Sequence, residues 1–226
     1  MARDFDGVDD NISHGSDASI DAFNPISMSC WIRRDAGSFN NEPFLAKSGF
    51  ADGWICSIAT ASGKIDFDYN FTVSRGIWES TTNVGTGRRH VIVTYDNGAT
   101  TNNPSIYLDG TLETLSTDVD PVGTPNSDAA FNLSVGNDSS FGLDFLNGTV
   151  GWICYDNVSW DAAQRNRSRW WGEPGGPVKV KLSYMTDLLN RGTTTANGSA
   201  TGTIALALAA PVVRPGTAMM GMGVGW

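Results

Sequence analysis

The chain has 226 residues and a formal net charge of −9, from 24 Asp and Glu against 15 Lys and Arg. That balance argues against nucleic acid and anionic membranes as partners, because both demand clustered cations. Charged residues are only 17% of the chain, and abundant Gly, Ser, Thr and Asn predict an all-β chain of short strands and many turns.

The opening Met1-Ala2-Arg3-Asp4-Phe5-Asp6 has no basic-then-apolar stretch, so no secretory signal is expected. No apolar run of about 18 residues exists, so no spanning helix is expected. Ile26, Met28, Cys30 and Ile32 alternate with Ser27, Ser29, Trp31 and Arg33, which predicts a half-buried strand. Trp54, Cys56 and Ile58 predict a second. Over 64–71, Ile65, Phe67, Tyr69 and Phe71 face one way, and Lys64, Asp66, Asp68 and Asn70 the other. Val91, Val93 and Tyr95 repeat the pattern, followed by Ile106 and Leu108, Leu133 and Val135, and the run 149–155. Turn signals such as Ser62-Gly63, Asp96-Asn97-Gly98 and Asn147-Gly148 separate these runs. Asp109-Gly110 between Leu108 and Thr111 predicts a hairpin. Short regular spacing without long helices predicts antiparallel sheets.

One helix is predicted after Asp161, whose side chain caps it with Gln164 three residues on; Gly172 and Pro174 end it. Beyond Pro174-Gly175-Gly176-Pro177, residues 178–184 alternate once more. A Thr-, Asn- and Gly-rich stretch then leads to Ile204-Ala205-Leu206-Ala207-Leu208. The end is apolar and without period: Met219, Met220, Met222, Val224 and Trp226 stand among glycines. Such a segment builds no core alone and needs a surface to lie on. These divisions predict a core at 1–174, a strap at 175–210 completing it, and a docking tail at 211–226. Cys30, Cys56 and Cys154 sit in apolar runs without metal-ligand spacing, so they are expected as small buried hydrophobes in a reducing compartment.

Several motifs then coincide. Phe5-Asp6-Gly7-Val8-Asp9-Asp10-Asn11-Ile12 resembles the FDGxDDYI opening of laminin-G-like jelly-roll modules. In the same order, Cys30-Trp31-Ile32-Arg33, Phe44-Leu45-Ala46-Lys47-Ser48-Gly49, His90-Val91-Ile92-Val93-Thr94-Tyr95-Asp96 and Ile106-Tyr107-Leu108-Asp109-Gly110 resemble later strands of that family. So do Leu133-Ser134-Val135-Gly136-Asn137 and Leu146-Asn147-Gly148-Thr149-Val150. The resemblance covers residues 5 to about 170. It implies the concanavalin A-like fold: two antiparallel sheets in a jelly-roll sandwich, one concave, with one short helix and an extended C-terminal segment. Two departures stand out. Gly151-Trp152 replaces an acidic pair, and Arg88-Arg89-His90 replaces a Trp-His-His motif.

The fold includes glucanases, which carry Glu-x-Asp-x-Glu on one strand; here Asp66 and Asp68 share a face with no Glu at that spacing. His14 and His90 have no nucleophile context. The chain is therefore expected to be non-catalytic and to hold no organic cofactor. A rim calcium has oxygen donors available in Asp9 and Asp10, Asp96 and Asn97, and Asp118 and Asp120. A glycan site would use an outward Trp31 with Arg33, and the polar face of Asp66 and Asp68. A lectin-like fold, no export signal, free cysteines and an unsupported tail together predict a virion surface component. It would be a capsid decoration or phage tail protein, assembled in the host cytoplasm, docking on other subunits or as a homo-oligomer. The alternative is a carbohydrate-binding, lectin-like adhesion module, and a glycoside hydrolase ranks last.

Overall fold

The period-two apolar pattern is realised as two stacked antiparallel sheets. The computed structural model describes residues 2–35, 41–49, 51–59, 62–138, 145–172 and 185–186. Within them the chain forms β1 (Ala2–Asp6), β2 (Ile12–Ser13), β3 (Ile26–Arg34), β4 (Glu42–Gly49), β5 (Asp52–Ile58), β6 (Lys64–Tyr69) and β7 (Gly76–Asn83). It continues with β8 (Arg88–Tyr95), β9 (Ser105–Leu108), β10 (Thr111–Leu112), β11 (Leu115–Val119), β12 (Ser134–Val135), β13 (Asn147–Asp156), α1 (Ala162–Gly172) and β14 (Met185–Thr186). The first sheet runs β1-β13-β3-β8-β9-β10, with β14 also paired to β13; the second runs β11-β7-β6-β5-β4-β12-β2.

Register decides what enters the core, because a slip of one residue would turn each strand inside out. In the first sheet Met28 lies opposite Val93, and Val93 opposite Ile106. In the second, Cys56 lies opposite Phe67, and Phe67 opposite Trp78. Phe67, Tyr69, Trp78 and Tyr95 form a ring cluster, with Trp78 and Tyr95 centroids 5.1 Å apart. Rings this fully buried each contribute roughly 4–6 kcal/mol of gross burial. The Cys56 and Met28 sulfurs meet across the two sheets at 3.2 Å. All three cysteines are free and buried, and burial pushes their thiols up, out of the reactive range.

The Asp109-Gly110 hairpin forms as the sequence predicts. Both residues have positive φ, 53° and 84°, which fits the right-handed twist of β9 and β10. Lys47 was not expected inside. Its ammonium is wholly buried and donates to the Asp128 carbonyl at 2.7 Å and the Phe131 carbonyl at 2.9 Å, and pairs with Asp21 at 2.8 Å. Three donors meet three oxygens, so the charge is fully satisfied and ties two loops to β4.

The helix begins on a reciprocal cap. Asp161 Oδ1 accepts from the Gln164 amide, and Gln164 Oε1 accepts from the Asp161 amide, both at 2.8 Å. It lies over the outer face of the first sheet. There Ile92, Cys154 and Trp160 form a second buried cluster with Tyr107. This placement corrects one expectation: Trp31 points outward as its alternation requires, but it is only 8% exposed. The Arg169 carbonyl accepts from its Nε1 at 3.3 Å, and the Arg88 guanidinium lies 4.3 Å from its ring centre. No helix among the described residues is long and apolar enough to cross a membrane.

Candidate functional site

The outer face of the second sheet carries a groove of about 200 Å³. Alternation along β6 sends Ile65, Phe67 and Tyr69 inward and leaves Asp66 and Asp68 on the outer face. Register supplies the walls. Ser57 and Glu79 flank Asp66 on the neighbouring strands, while Ile55 and Ile77 flank Asp68. Pro43, Asn41 and Arg75 complete the lining.

The electrostatics of this face are unequal. Arg75 Nη1 pairs with Asp68 Oδ2 at 3.2 Å. Lys64 Nζ and Ser62 Oγ each donate to Glu79 at 2.8 Å. Among the described residues Asp66 makes no ion pair, though Arg75 acts on it at longer range, and its Oδ1 and that of Asp68 are buried without a hydrogen-bond partner. Burial pushes the Asp66 carboxyl up to about 8, and the charges of Asp68, Glu79 and Asp118 add to it. Burial also pushes Asp68 up, to about 6, against the opposing pull of Arg75. The outer face of β6 is therefore a recess whose two carboxyls titrate near neutrality as a pair.

The other residues predicted from sequence lie elsewhere. Arg33 and Trp31 are on the first sheet, on the opposite side of the sandwich from Asp66 and Asp68, so the four do not form one site. Arg33 pairs with Asp35 at 3.1 Å and lies 3.9 Å from Asp4. The calcium candidates are also apart. Asp9 and Asp10 follow β1, whose end lies beside the Arg34 end of β3. Asp96 and Asn97 follow β8, at the Ile26 end of β3, roughly 26 Å away at strand rise. Asp10 accepts from the Asp6 amide and sits 3.7 Å from Arg3. Asp96 Oδ1 accepts from the Gly98 amide, and buried Asn97 donates to the Phe23 carbonyl and Tyr69 hydroxyl. These are turn and core contacts. Among the described residues no group of three or more His, Cys, Asp or Glu side chains is placed to hold a metal. Asp118 is exposed on β11 and Asp120 just beyond it. Met219, Met220, Met222, Val224 and Trp226 lie outside the described residues, as do most of 175–210 and all of 211–226.

His90 is fully buried beneath α1, its ring 5.0 Å from Trp31. Burial first, then the charge of Arg169, pushes it down to about 3, so it is neutral and packs as a core side chain. Sequence reasoning missed Arg75, Ser57, Glu79, Ile55 and Ile77. One signal was available: Ile77 and Glu79 alternate with inward Trp78 and Ser80.

Comparison with known proteins adds the following. Residues 6–152 match the family described as the concanavalin A-like lectin/glucanases superfamily. No curated protein matches the sequence. Among solved structures, a native heptameric SAP-like pentraxin from Limulus polyphemus is similar with TM-score 0.54 and 10% identity, covering 74% of this chain and 81% of that one. The CBM40 of the Ruminococcus gnavus IT-sialidase, bound to α2,3-sialyllactose, is similar with TM-score 0.51 and 9% identity, covering 74% and 98%. The LG4-5 domains of the mouse laminin α1 chain give TM-score 0.52 at 13% identity, covering 72% and 43%.

Proposed function

Since the chain belongs to the concanavalin A-like lectin/glucanase superfamily, we propose that it is a carbohydrate-binding, lectin-like module whose ligand occupies the groove over β6. The observation that carries this reading is the mixed lining of that groove. Ser57, Asp66, Asp68 and Arg75 offer planar and hydroxyl hydrogen-bonding groups, while Ile55, Ile77 and Pro43 offer apolar surface. A pyranose ring needs both, for its hydroxyls and its C–H faces. One structural neighbour holds α2,3-sialyllactose. At 9% identity that likeness carries the fold, so the ligand is argued from the groove.

The volume sets the scale. About 200 Å³ takes roughly one sugar ring. A ring of about 12 heavy atoms at about 0.3 kcal/mol each gives roughly −4 kcal/mol, a Kd on the order of 1 mM per site. Titration calorimetry of the full chain against a glycan panel, with and without calcium, tests the reading. Binding that Asp68→Asn abolishes supports it. No glycan binding at about ten times that concentration sinks it. Turnover of an oligosaccharide by the purified chain would instead favour the hydrolase reading. The particle-component reading rests on the tail at 211–226. Loss of oligomeric mass on truncation after Pro211 would restore it beside the glycan reading.

A further inference from the structure

We propose that Lys47 and Asp21 condense into an intramolecular amide, joining Lys47 Nζ to Asp21 Cγ, with Asp128 carrying the proton that the step must move. The bond would lie on the core side of β4 and does not depend on what the groove over β6 binds.

The geometry is that of a reactant pair. Lys47 lies opposite the core residue Trp54 of β5, and its side chain has no exposed surface. Its Nζ stands 2.8 Å from Asp21 Oδ1 and 3.8 Å from Asp128 Oδ1. The Asp21 carboxyl carbon is one bond beyond that oxygen, so the nitrogen is close to the roughly 3–3.5 Å from which a nucleophile attacks. Both partners are held in place. The Asp128 and Phe131 carbonyls accept from Nζ at 2.7 and 2.9 Å. Asp21 is followed by Ala22, whose φ of 50° is a conformation that residues with a Cβ seldom take. The Ala22 amide donates to Asp128 Oδ1 at 2.6 Å, and Trp54 Nε1 donates to Asp128 Oδ2 at 3.2 Å. Asp128 thus anchors the segment that carries Asp21.

One carboxylate balances one ammonium, yet this site holds two, and the side chain of Asp128 is only 2% exposed. The condensation uses both. Burial favours neutral groups over charged ones. A proton passing from Nζ to Asp21 along their hydrogen bond leaves an amine beside a carboxylic acid. Phe23 stacks on Tyr155 with centroids 4.6 Å apart, and the Trp54 ring lies 5.5 Å from Tyr155. Tyr155 feels the charges of both Asp128 and Asp21, so these rings shield the pair from water. The Nζ lone pair attacks Cγ. The Asp128 carboxylate takes a proton from the nitrogen and gives it to the departing hydroxyl. A C–N bond forms, a C–O bond breaks and one water leaves. Ammonium and carboxylate give amide and water, so charge balances and no oxidant is needed. Groups held this way reach effective molarities on the order of 10⁵–10⁸ M, which a free amine and acid lack. The link would close residues 21–47 into a ring around β3, a covalent tie that the three free cysteines do not supply.

The test is intact-mass spectrometry of the purified full chain, followed by trypsin digestion. The expected mass is one water below that of the sequence. Digestion should yield residues 4–33, which hold Asp21, joined to residues 35–64, with no cut after Lys47. Asp21→Ala and Asp128→Asn should each give separate peptides. Asp21→Ala should also lower the thermal midpoint by roughly 5–15 °C, the effect of opening a ring of about 26 residues. An ion pair alone would move that midpoint too, but it leaves the mass of the wild-type chain unchanged. Full sequence mass in the folded wild-type chain overturns the inference. So does a lost water with the Asp21 and Lys47 peptides found apart, which marks a cyclised aspartate. Linked peptides that persist in Asp128→Asn overturn the proton-carrying role and leave the amide standing.

Discussion

Replacing Asp66 by Asn separates the charge of the groove from its shape, and stability reads the difference without any ligand. In an open chain this carboxyl titrates at 3.8, and in the folded sandwich it is pushed up to about 8, first by burial and then by Asp68, Glu79 and Asp118. A raised folded value means the native state holds a proton that the unfolded chain has released. Stability is then fully present below about pH 4 and is lost as pH rises through about 8. A shift of about 4 units is worth roughly 5–6 kcal/mol at 1.36 kcal/mol per unit. Asp66 is only partly buried and titrates together with Asp68, so about half of that, roughly 2–3 kcal/mol, is the expected effect. Asn keeps the size and removes the charge. Urea unfolding between about pH 5 and 9 should show the two proteins within about 1 kcal/mol at the acid end, and the variant more stable by about 2–3 kcal/mol at the alkaline end. His90 titrates in both proteins and cancels in the difference. Parallel stability curves, or a gap that widens toward acid, would refute the assignment of a strained, cation-poor carboxyl to this face.

Lys47→Met should cost about 3–5 kcal/mol in urea unfolding, because it leaves the wholly buried Asp128 side chain without its ammonium; a cost under about 1 kcal/mol would mean the network contributes little. Gly110→Ala should cost about 1–2 kcal/mol, since φ is +84° there and an added Cβ would stand 3.0 Å from the Arg169 guanidinium; an unchanged urea midpoint contradicts the turn assignment. His90 is depressed to about 3 by burial and Arg169. It therefore contributes stability above its ordinary 6.5 that is lost as pH falls toward 3, and His90→Phe should flatten the acid limb of thermal unfolding.

Legibility in the sequence followed residue alternation. Where polar and apolar residues alternate in the sequence the strand was found, whether its outer face is open as in β6 or covered as in β3 and β8: all three fall close to where Ile26–Ile32, Lys64–Phe71 and Val91–Tyr95 placed them. All eight residues of β4 are buried, so Glu42-Pro43-Phe44-Leu45 shows no alternation, and only its likeness to a family strand marked it. Edge strand β11 fails for the opposite reason, having no fully buried residue to set a period. β7, with its wholly buried Trp78, matches none of the runs predicted from alternation. Trp31 shows the limit most clearly. Its direction followed from the pattern, but its covering by α1 arises about 130 residues later in the chain. The site divides in the same way. Asp66 and Asp68 were visible as one face of one strand. Arg75, Ser57, Ile55 and Ile77 join them only through register between strands, which no local period encodes.

The two outer faces of the sandwich have different fates, and that difference bears on the proposed site. The first sheet's outer face is closed by α1, with Trp160, Ile92 and Cys154 buried beneath it. The second sheet's face keeps a recess over β6. A recess serving only the fold would carry Asn or Ser at position 66, either of which satisfies a polar wall without a charge. Asp66 instead sits beside Asp68, Glu79 and Asp118 with no ion pair among the described residues, at an expected cost of about 2–3 kcal/mol above neutral pH. Two other charges are held closely: Lys47 meets three oxygens, and Arg89 meets Asp109 at 2.7 Å. Local conflicts of the kind at Asp66 concentrate where a chain binds or reacts, which supports the groove over β6 as the binding site.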